Sequence, residues 1–180
     1  MQLEGKRIML RPWKKTDAEA LYNLCKSELF EKSIGWERHK SVEDSLHRIN
    51  TAFSVDGCYA IVLKTNLKVI GLINVRIGAL GIYNIADNEA DLDYWVDPKY
   101  WYESYAVDAI NLILEHCFKD LGLRGVWCGY SVGNDDYFIC QKECGFRYHH
   151  TEYNKFVLGF TEPRTINVAY ILKEDFLKRT

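Results

Sequence analysis

Two hydrophobic periods divide this chain of 180 residues into elements: apolar positions alternating with polar ones in some stretches, and recurring every three to four residues in others. Arg7 to Arg11 (RIMLR) reads as a short edge strand closed by Pro12. Thr16, with Glu19 three residues on, predicts an N-cap and capping box. The helix that follows should run to about Leu29 with Ala20, Leu21, Leu24 and Cys25 inward. Ser41 with Asp44 repeats the signal for a second helix carrying Leu46, Ile49, Ala52 and Phe53, and Glu31 to Trp36 between the two predicts a mobile connection. The period then changes. Cys58 to Lys64, Val69 to Ile77 and Ala90 to Val96 are rich in Val, Ile, Tyr and Leu, and turn-like Thr65 to Lys68 joins the first two, so the three predict an antiparallel meander.

After Pro98, residues Ala106, Ala109, Ile110, Ile113, Leu114, Cys117 and Phe118 hold helical spacing without a gap, and Gly122 suits the position just past the helix end. A strand over Arg124 to Tyr130 follows, then a helix opened by Asn134 and closed by Gly145, then strands over Arg147 to Tyr153 and Asn167 to Leu172.

Composition narrows the class. With 48% hydrophobic and 14% aromatic residues, no repeat and no linker-like tract, the chain reads as one domain over 1–180 with a sizeable core. Its 23 basic and 25 acidic residues are mixed along the sequence for a net charge of −2, which argues against a nucleic-acid or anionic-membrane surface. No apolar run approaches the roughly 18 residues of a membrane span, and no signal-like N-terminus is present, so a soluble, cytoplasmic protein is expected. The six cysteines sit inside helix and strand patterns and read as reduced core thiols. Cys140 and Cys144 could begin a metal site on one helix face, but no second pair at ligand spacing completes it, and no metal is expected.

The run Asp91-Leu92-Asp93-Tyr94-Trp95-Val96-Asp97-Pro98-Lys99-Tyr100-Trp101, the long helix after it, then Asn134 and Cys144-Gly145-Phe146, resemble in order and spacing the GNAT acetyltransferase superfamily. The opening Leu3 to Pro12 with Thr16-Asp17-Ala18 is similar to the branch of the ribosomal-protein-alanine N-acetyltransferases. The resemblance implies an α/β (α+β) fold: a mixed, twisted, mostly antiparallel sheet, splayed between central strands, with helices on both faces. It implies acetyl-CoA as acyl donor, its pantetheine arm lying along the backbone of Tyr94, Trp95 and Val96, and its pyrophosphate at the start of the long helix. There the dipole and unpaired amides favour an anion.

The family's glycine loop falls on Trp101-Tyr102-Glu103-Ser104-Tyr105-Ala106. Tyr105 and Ala106 agree with it; Tyr102 and Ser104 replace both usual glycines, and Glu103 stands where a basic residue is common. Asn134 is placed to offer its amide to the pantetheine arm, or to act as a plain N-cap. Tyr137 occupies the place of a small hydroxyl residue.

Transfer of acetyl to an amine asks for a base at the amine, a donor at the thioester carbonyl and a proton for the departing thiolate. The resemblance points to Asp91 as base, with Glu89 and Asp93 beside it, and to Tyr137 as acid, because the place of the family's usual tyrosine holds Gln141. Strand alternation puts Asp91 and Asp93 on one face, where a solvated edge is the competing reading. Two functions stay open at this point: an N-acetyltransferase acting on a small amine or a protein N-terminus, and a GNAT-like acyl-CoA or protein binding module with weakened or lost catalysis. A homodimer is left open as well.

Overall fold

In the computed structural model, residues 1–156 and 162–179 are described. They form one sheet of eight strands: β1 (Leu3–Glu4), β2 (Ile8–Pro12), β3 (Cys58–Leu63), β4 (Val69–Ile77), β5 (Glu89–Val96), β6 (Gly125–Ser131), β7 (Arg147–Lys155) and β8 (Arg164–Leu172). Their spatial order is β1-β2-β3-β4-β5-β6-β8-β7. Every neighbouring pair is antiparallel except β5 and β6, which run parallel through a crossover that contains the long helix.

Helices cover both faces. On one lie α1 (Ala18–Cys25), α2 (Glu28–Ile34) and α3 (Val42–Asn50), which pack Leu21, Cys25, Phe30, Ile49 and Phe53 against Ala60, Leu72 and Trp95. On the other lie α4 (Tyr105–Glu115), α5 (Asp135–Glu143) and α6 (Lys173–Leu177). There Ala109, Ile110, Ile113 and Leu114 of α4 meet Ile61, Ile73, Leu92 and Val126. The β5 side chains therefore alternate between two cores, Tyr94 in one and Trp95 in the other. Five of the six cysteines are buried, Cys140 being the half-buried one.

The meander and the long helix lie where the periodicity put them, and Ser41 caps α3 by accepting the Asp44 N–H at 3.2 Å. Three expectations need correction. Thr16 does not open a helix to Leu29. Asp17 takes the Arg11 guanidinium on two oxygens at 2.7 and 2.9 Å and the Lys14 N–H at 2.8 Å, which holds Lys15–Asp17 in a 3-10 turn. The helix then ends at Cys25, and Ser27 caps a separate one by accepting the Phe30 N–H at 3.1 Å. The mobile connection over Glu31 to Trp36 is accordingly mostly helical, ending at Gly35 with φ of 85°. Finally, β2 is not an edge: the two residues of β1 flank it.

Candidate active site

Pairing between β5 and β6 begins at Glu89 with Gly125 and stops at Leu92 with Cys128. Beyond that point the two strands part. The bond from the Asp97 N–H to the Ile70 carbonyl, 2.8 Å, fixes the phase of β5. Residues 91, 93, 95 and 97 spend their backbone groups on β4, so 90, 92, 94 and 96 turn theirs the other way. Tyr94 and Val96 thus present N–H and C=O groups to the opening with no strand opposite.

Two side chains fill part of that edge. Tyr137, from α5, donates its hydroxyl to the Tyr94 carbonyl at 3.0 Å, and its ring stacks on Tyr94 with centroids 4.9 Å apart. The Trp101 indole N–H donates to the Val96 carbonyl at 2.9 Å. The two carbonyls are satisfied, and the Val96 N–H is left as a donor facing the opening. Burial pushes the Tyr137 phenol well above its ordinary range, so it stays protonated.

A cavity of about 260 Å³ opens from this edge, walled by Tyr94, Val96, Trp101, Tyr137, Ile139 and Cys140 and floored by Ser104, Ala106 and Val107. Its end is the start of α4. The first intrahelical bond there runs from the Asp108 N–H to the Ser104 carbonyl at 3.0 Å, so the amides of Tyr105, Ala106 and Val107 have no carbonyl within the helix to reach. Ser104 takes φ of 56°, the left-handed conformation for which glycine is favoured, so the backbone turn survives the loss of glycine. Tyr102 is 90% exposed and Glu103 is exposed, so neither fills the turn. Arg7 braces the loop from outside: it donates to the Glu103 carbonyl at 2.9 Å, pairs with Asp108 at 2.6 Å and lies 4.7 Å over the Tyr105 ring. A backbone donor edge, a phenol and a helix start with free amides around one cavity fit an acyl-CoA arm and its pyrophosphate. A larger depression of about 480 Å³ lies against α1, lined by Thr16, Asn23, Lys68 and, from the segment after β5, Asp97 and Lys99.

Asn134 is a helix cap, its side-chain oxygen accepting the Tyr137 N–H at 3.4 Å. Gln141 is buried and donates to the Gly129 carbonyl at 3.3 Å. The aspartate face of β5 is not the solvated edge that alternation allows. Asp91 is fully buried, because residues 78–88 between β4 and β5 fold back over it. Its carboxylate pairs with Arg76 at 2.5 Å and accepts the Ile82 N–H, while burial pulls its pKa up. Gly81 allows the approach: a Cβ there would stand 2.8 Å from the carboxylate. Glu89 is also buried and accepts the Trp127 indole N–H at 2.9 Å. Asp93, two residues along the same face, keeps part of its surface open, and burial of the rest raises its pKa.

Arg7, Asn74 and Arg76 are the site's neighbours that the sequence pattern did not single out. Arg76 had a signal: it is the one charged residue in Val69–Ile77. Among the described residues no group of three His, Cys, Asp or Glu side chains is arranged to hold a metal ion, and no helix is long and apolar enough to cross a membrane.

With the opened β5, the parallel crossover and the helix start at its end in place, comparison with known proteins agrees with the geometry. Residues 7–147 match the family model for the acetyltransferase (GNAT) domain, and the chain belongs to the GNAT acetyltransferase family. An uncharacterized N-acetyltransferase of Bacillus subtilis, YoaA, is 25% identical over 131 residues, 69% of this chain and 70% of that one. Among solved structures, a GNAT-family acetyltransferase from Bacillus anthracis superposes with a TM-score of 0.81 at 19% identity, covering 97% of this chain and 99% of that one. Spermidine N-acetyltransferase from Vibrio cholerae, solved in complex with CoA and spermine, gives 0.73 at 20% identity, covering 95% and 98%. Identities this low carry the fold alone.

Proposed function

We propose that this chain is one acyltransferase domain that moves the acetyl group of acetyl-CoA directly to a primary amine of a small molecule or a protein N-terminus. The observation that carries this reading is the unpaired half of β5, whose Val96 N–H faces a cavity ending at the free amides of α4. Tyr105, Ala106 and Val107 would take the pyrophosphate, with the positive end of the helix dipole behind them. The Val96 N–H would meet the thioester oxygen as charge builds on it in the transition state. Tyr137, kept protonated by burial, would hand its proton to the leaving sulfur and recover one from the amine or water. The polyamine named with the Vibrio cholerae structure belongs to the small-amine class, as an α-amino terminus belongs to the protein one.

Calorimetric titration of the full chain with acetyl-CoA and with free CoA, followed by thiol release in the presence of amines, tests the proposal. Both nucleotides should bind, and turnover should appear with an amine acceptor. Binding without turnover would return the binding-module reading, in which Tyr137 plugs the opening through its bond to Tyr94. Absence of binding would reject both.

A further inference from the structure

The cavity proposed for acetyl-CoA is short of positive charge. Its lining holds two carboxylates, Asp136 and Glu143, and among the described residues that wall it there is no lysine, arginine or histidine. Two more acidic side chains stand at the helix start: Glu103 just before it, and Asp108 in its first turn. A pyrophosphate arriving there meets carboxylates on several sides, against which the helix dipole sets only about half an elementary charge.

The cation tied to that loop is Arg7, which comes from 96 residues away in the sequence. Its backbone is pinned first. The Arg7 carbonyl accepts the Lys64 N–H at 3.0 Å, and the Gly5 N–H donates to the Ile8 carbonyl at 2.9 Å across the turn from β1 to β2. That turn lies against α4, so closely that a Cβ on Gly5 would stand 3.3 Å from Leu112. From this anchor the guanidinium donates Nη1–H to the Glu103 carbonyl and Nε–H to Asp108, and it sits 4.7 Å over the Tyr105 ring.

The three contacts bracket Ser104: Glu103 precedes it, Tyr105 follows it, and the Asp108 N–H takes its carbonyl. Because a peptide is planar, holding the Glu103 carbonyl fixes the plane that leads into Ser104 and its left-handed φ of 56°. Serine adopts that conformation only against a steric cost, so a brace from outside decides whether the turn keeps its shape. A lysine could supply the charge, but not two N–H donors on one rigid group above a ring.

We infer that Arg7 is a positioning residue for the acyl-CoA pyrophosphate: it holds the Ser104 turn so that the amides of Tyr105, Ala106 and Val107 stay aimed at the cavity, and it cancels the Asp108 charge that would oppose the phosphates. The inference rests on the acetyltransferase reading above. Arg7 is not among the residues that line the cavity, so it acts through the loop. Since an ion pair this exposed contributes little to folding, its removal should register in binding.

The test is calorimetric titration of the full chain and of Arg7→Ala and Arg7→Lys with two ligands, CoA and dephospho-CoA, the second of which lacks the 3′-phosphate and keeps the pyrophosphate. Each titration is run at about 0.05 M and about 0.5 M KCl, where screening differs severalfold. At low salt Arg7→Ala should weaken both ligands by about tenfold or more, and by the same factor, because the pyrophosphate is common to them. Arg7→Lys should recover part of the loss and end about threefold below the parent. At high salt the gap between Arg7→Ala and the parent should narrow to the share that orientation carries, since the charge share is screened. Melting should fall by no more than about 4 °C. If Arg7→Ala melts earlier than that, Arg7→Gln, which keeps the stem and a donor, carries the same comparison. Affinity within twofold of the parent overturns the inference, as does a loss that salt leaves unchanged or one confined to CoA and absent with dephospho-CoA. Full recovery by lysine would reduce Arg7 to a bare charge and overturn the positioning role. Failure of the parent to bind either ligand would instead bring down the acetyltransferase reading.

Discussion

The two halves of β5 are built from the same alternating pattern and do opposite work. From Glu89 to Leu92 the strand is zipped to β4 on one side and β6 on the other, and its acidic side chains are matched: Asp91 to Arg76, Glu89 to the Trp127 indole. From Asp93 to Val96 the β6 partner is gone, and the second half leaves over what the first satisfies: the Asn74 side-chain oxygen opposite Asp93 and a backbone N–H at Val96. A paired strand is finished as structure. Chemistry becomes available where pairing stops, because only there are polar groups held in place without being consumed.

The largest effect should come from breaking the matched half. Arg76→Met strands the fully buried Asp91 carboxylate, and removing one partner of a buried pair costs about 3–5 kcal/mol. Thermal unfolding should fall by roughly 10 °C in a chain of this size, with activity lost only as the fold is lost. Equal melting of variant and parent would mean the pair is not structural.

Next, Tyr137→Phe removes the hydroxyl at the Tyr94 carbonyl and should slow turnover by roughly 10- to 100-fold with acetyl-CoA affinity nearly intact. Tyr137→Ser, which also clears the ring from the opening, should tighten acetyl-CoA relative to free CoA if the ring obstructs the acyl group. A residue that only packs would leave rate and affinity unchanged in both.

A smaller effect separates the two aspartates by pH. The Asp93 pKa is raised in the folded state, first by burial and secondarily by Asp91, against Arg76. Its contribution to stability is therefore full below the unfolded value of about 3.9 and is lost as pH rises through the folded value. Asp93→Asn removes that loss, so its stability advantage over the parent should be absent at the acid end, grow above about pH 4 and level off once Asp93 is ionised in the fold. Chemical denaturation at stepped pH measures this; a variant less stable than its parent at pH 7 would show that the charge is stabilised in place. The smallest expected effect is that of Ser104→Gly, which relieves a left-handed serine and should stabilise the chain by about 1 kcal/mol.

Much of this arrangement was legible along the chain, for reasons that differ by element. The strands from Cys58 to Val96 and the helix after Pro98 follow from side-chain period alone, since both cores demand it. The opening in the sheet is not encoded by any period; it entered through resemblance, and of the residues the resemblance named, Tyr94, Val96, Trp101, Ser104 and Ala106 line the cavity, whereas Trp95 turns its backbone to β4 and its ring into the opposite core. What the pattern missed depends on contacts between distant segments. Alternation put Asp91 and Asp93 on one face correctly, but it cannot see that residues 78–88 return to cover one of them, or that Arg76 sits a strand away from the first and Asn74 beside the second. Asn134 and Thr16 carried the same local signal, a cap before a helix. Only the first became one, because Asp17 has a competing partner in Arg11.

The backbone at Ser104 has one further consequence, for the entropy of recognition. A glycine in that turn would wander among several conformations before an anion arrived and would give up that freedom on binding. Serine, confined to a narrower basin, settles the orientation of the three amides when the chain folds. The proposed acetyl-CoA site should therefore show a smaller unfavourable entropy of association than its Ser104→Gly counterpart, and the difference should lie in the ordering of the turn, with the same amides meeting the same phosphates in both.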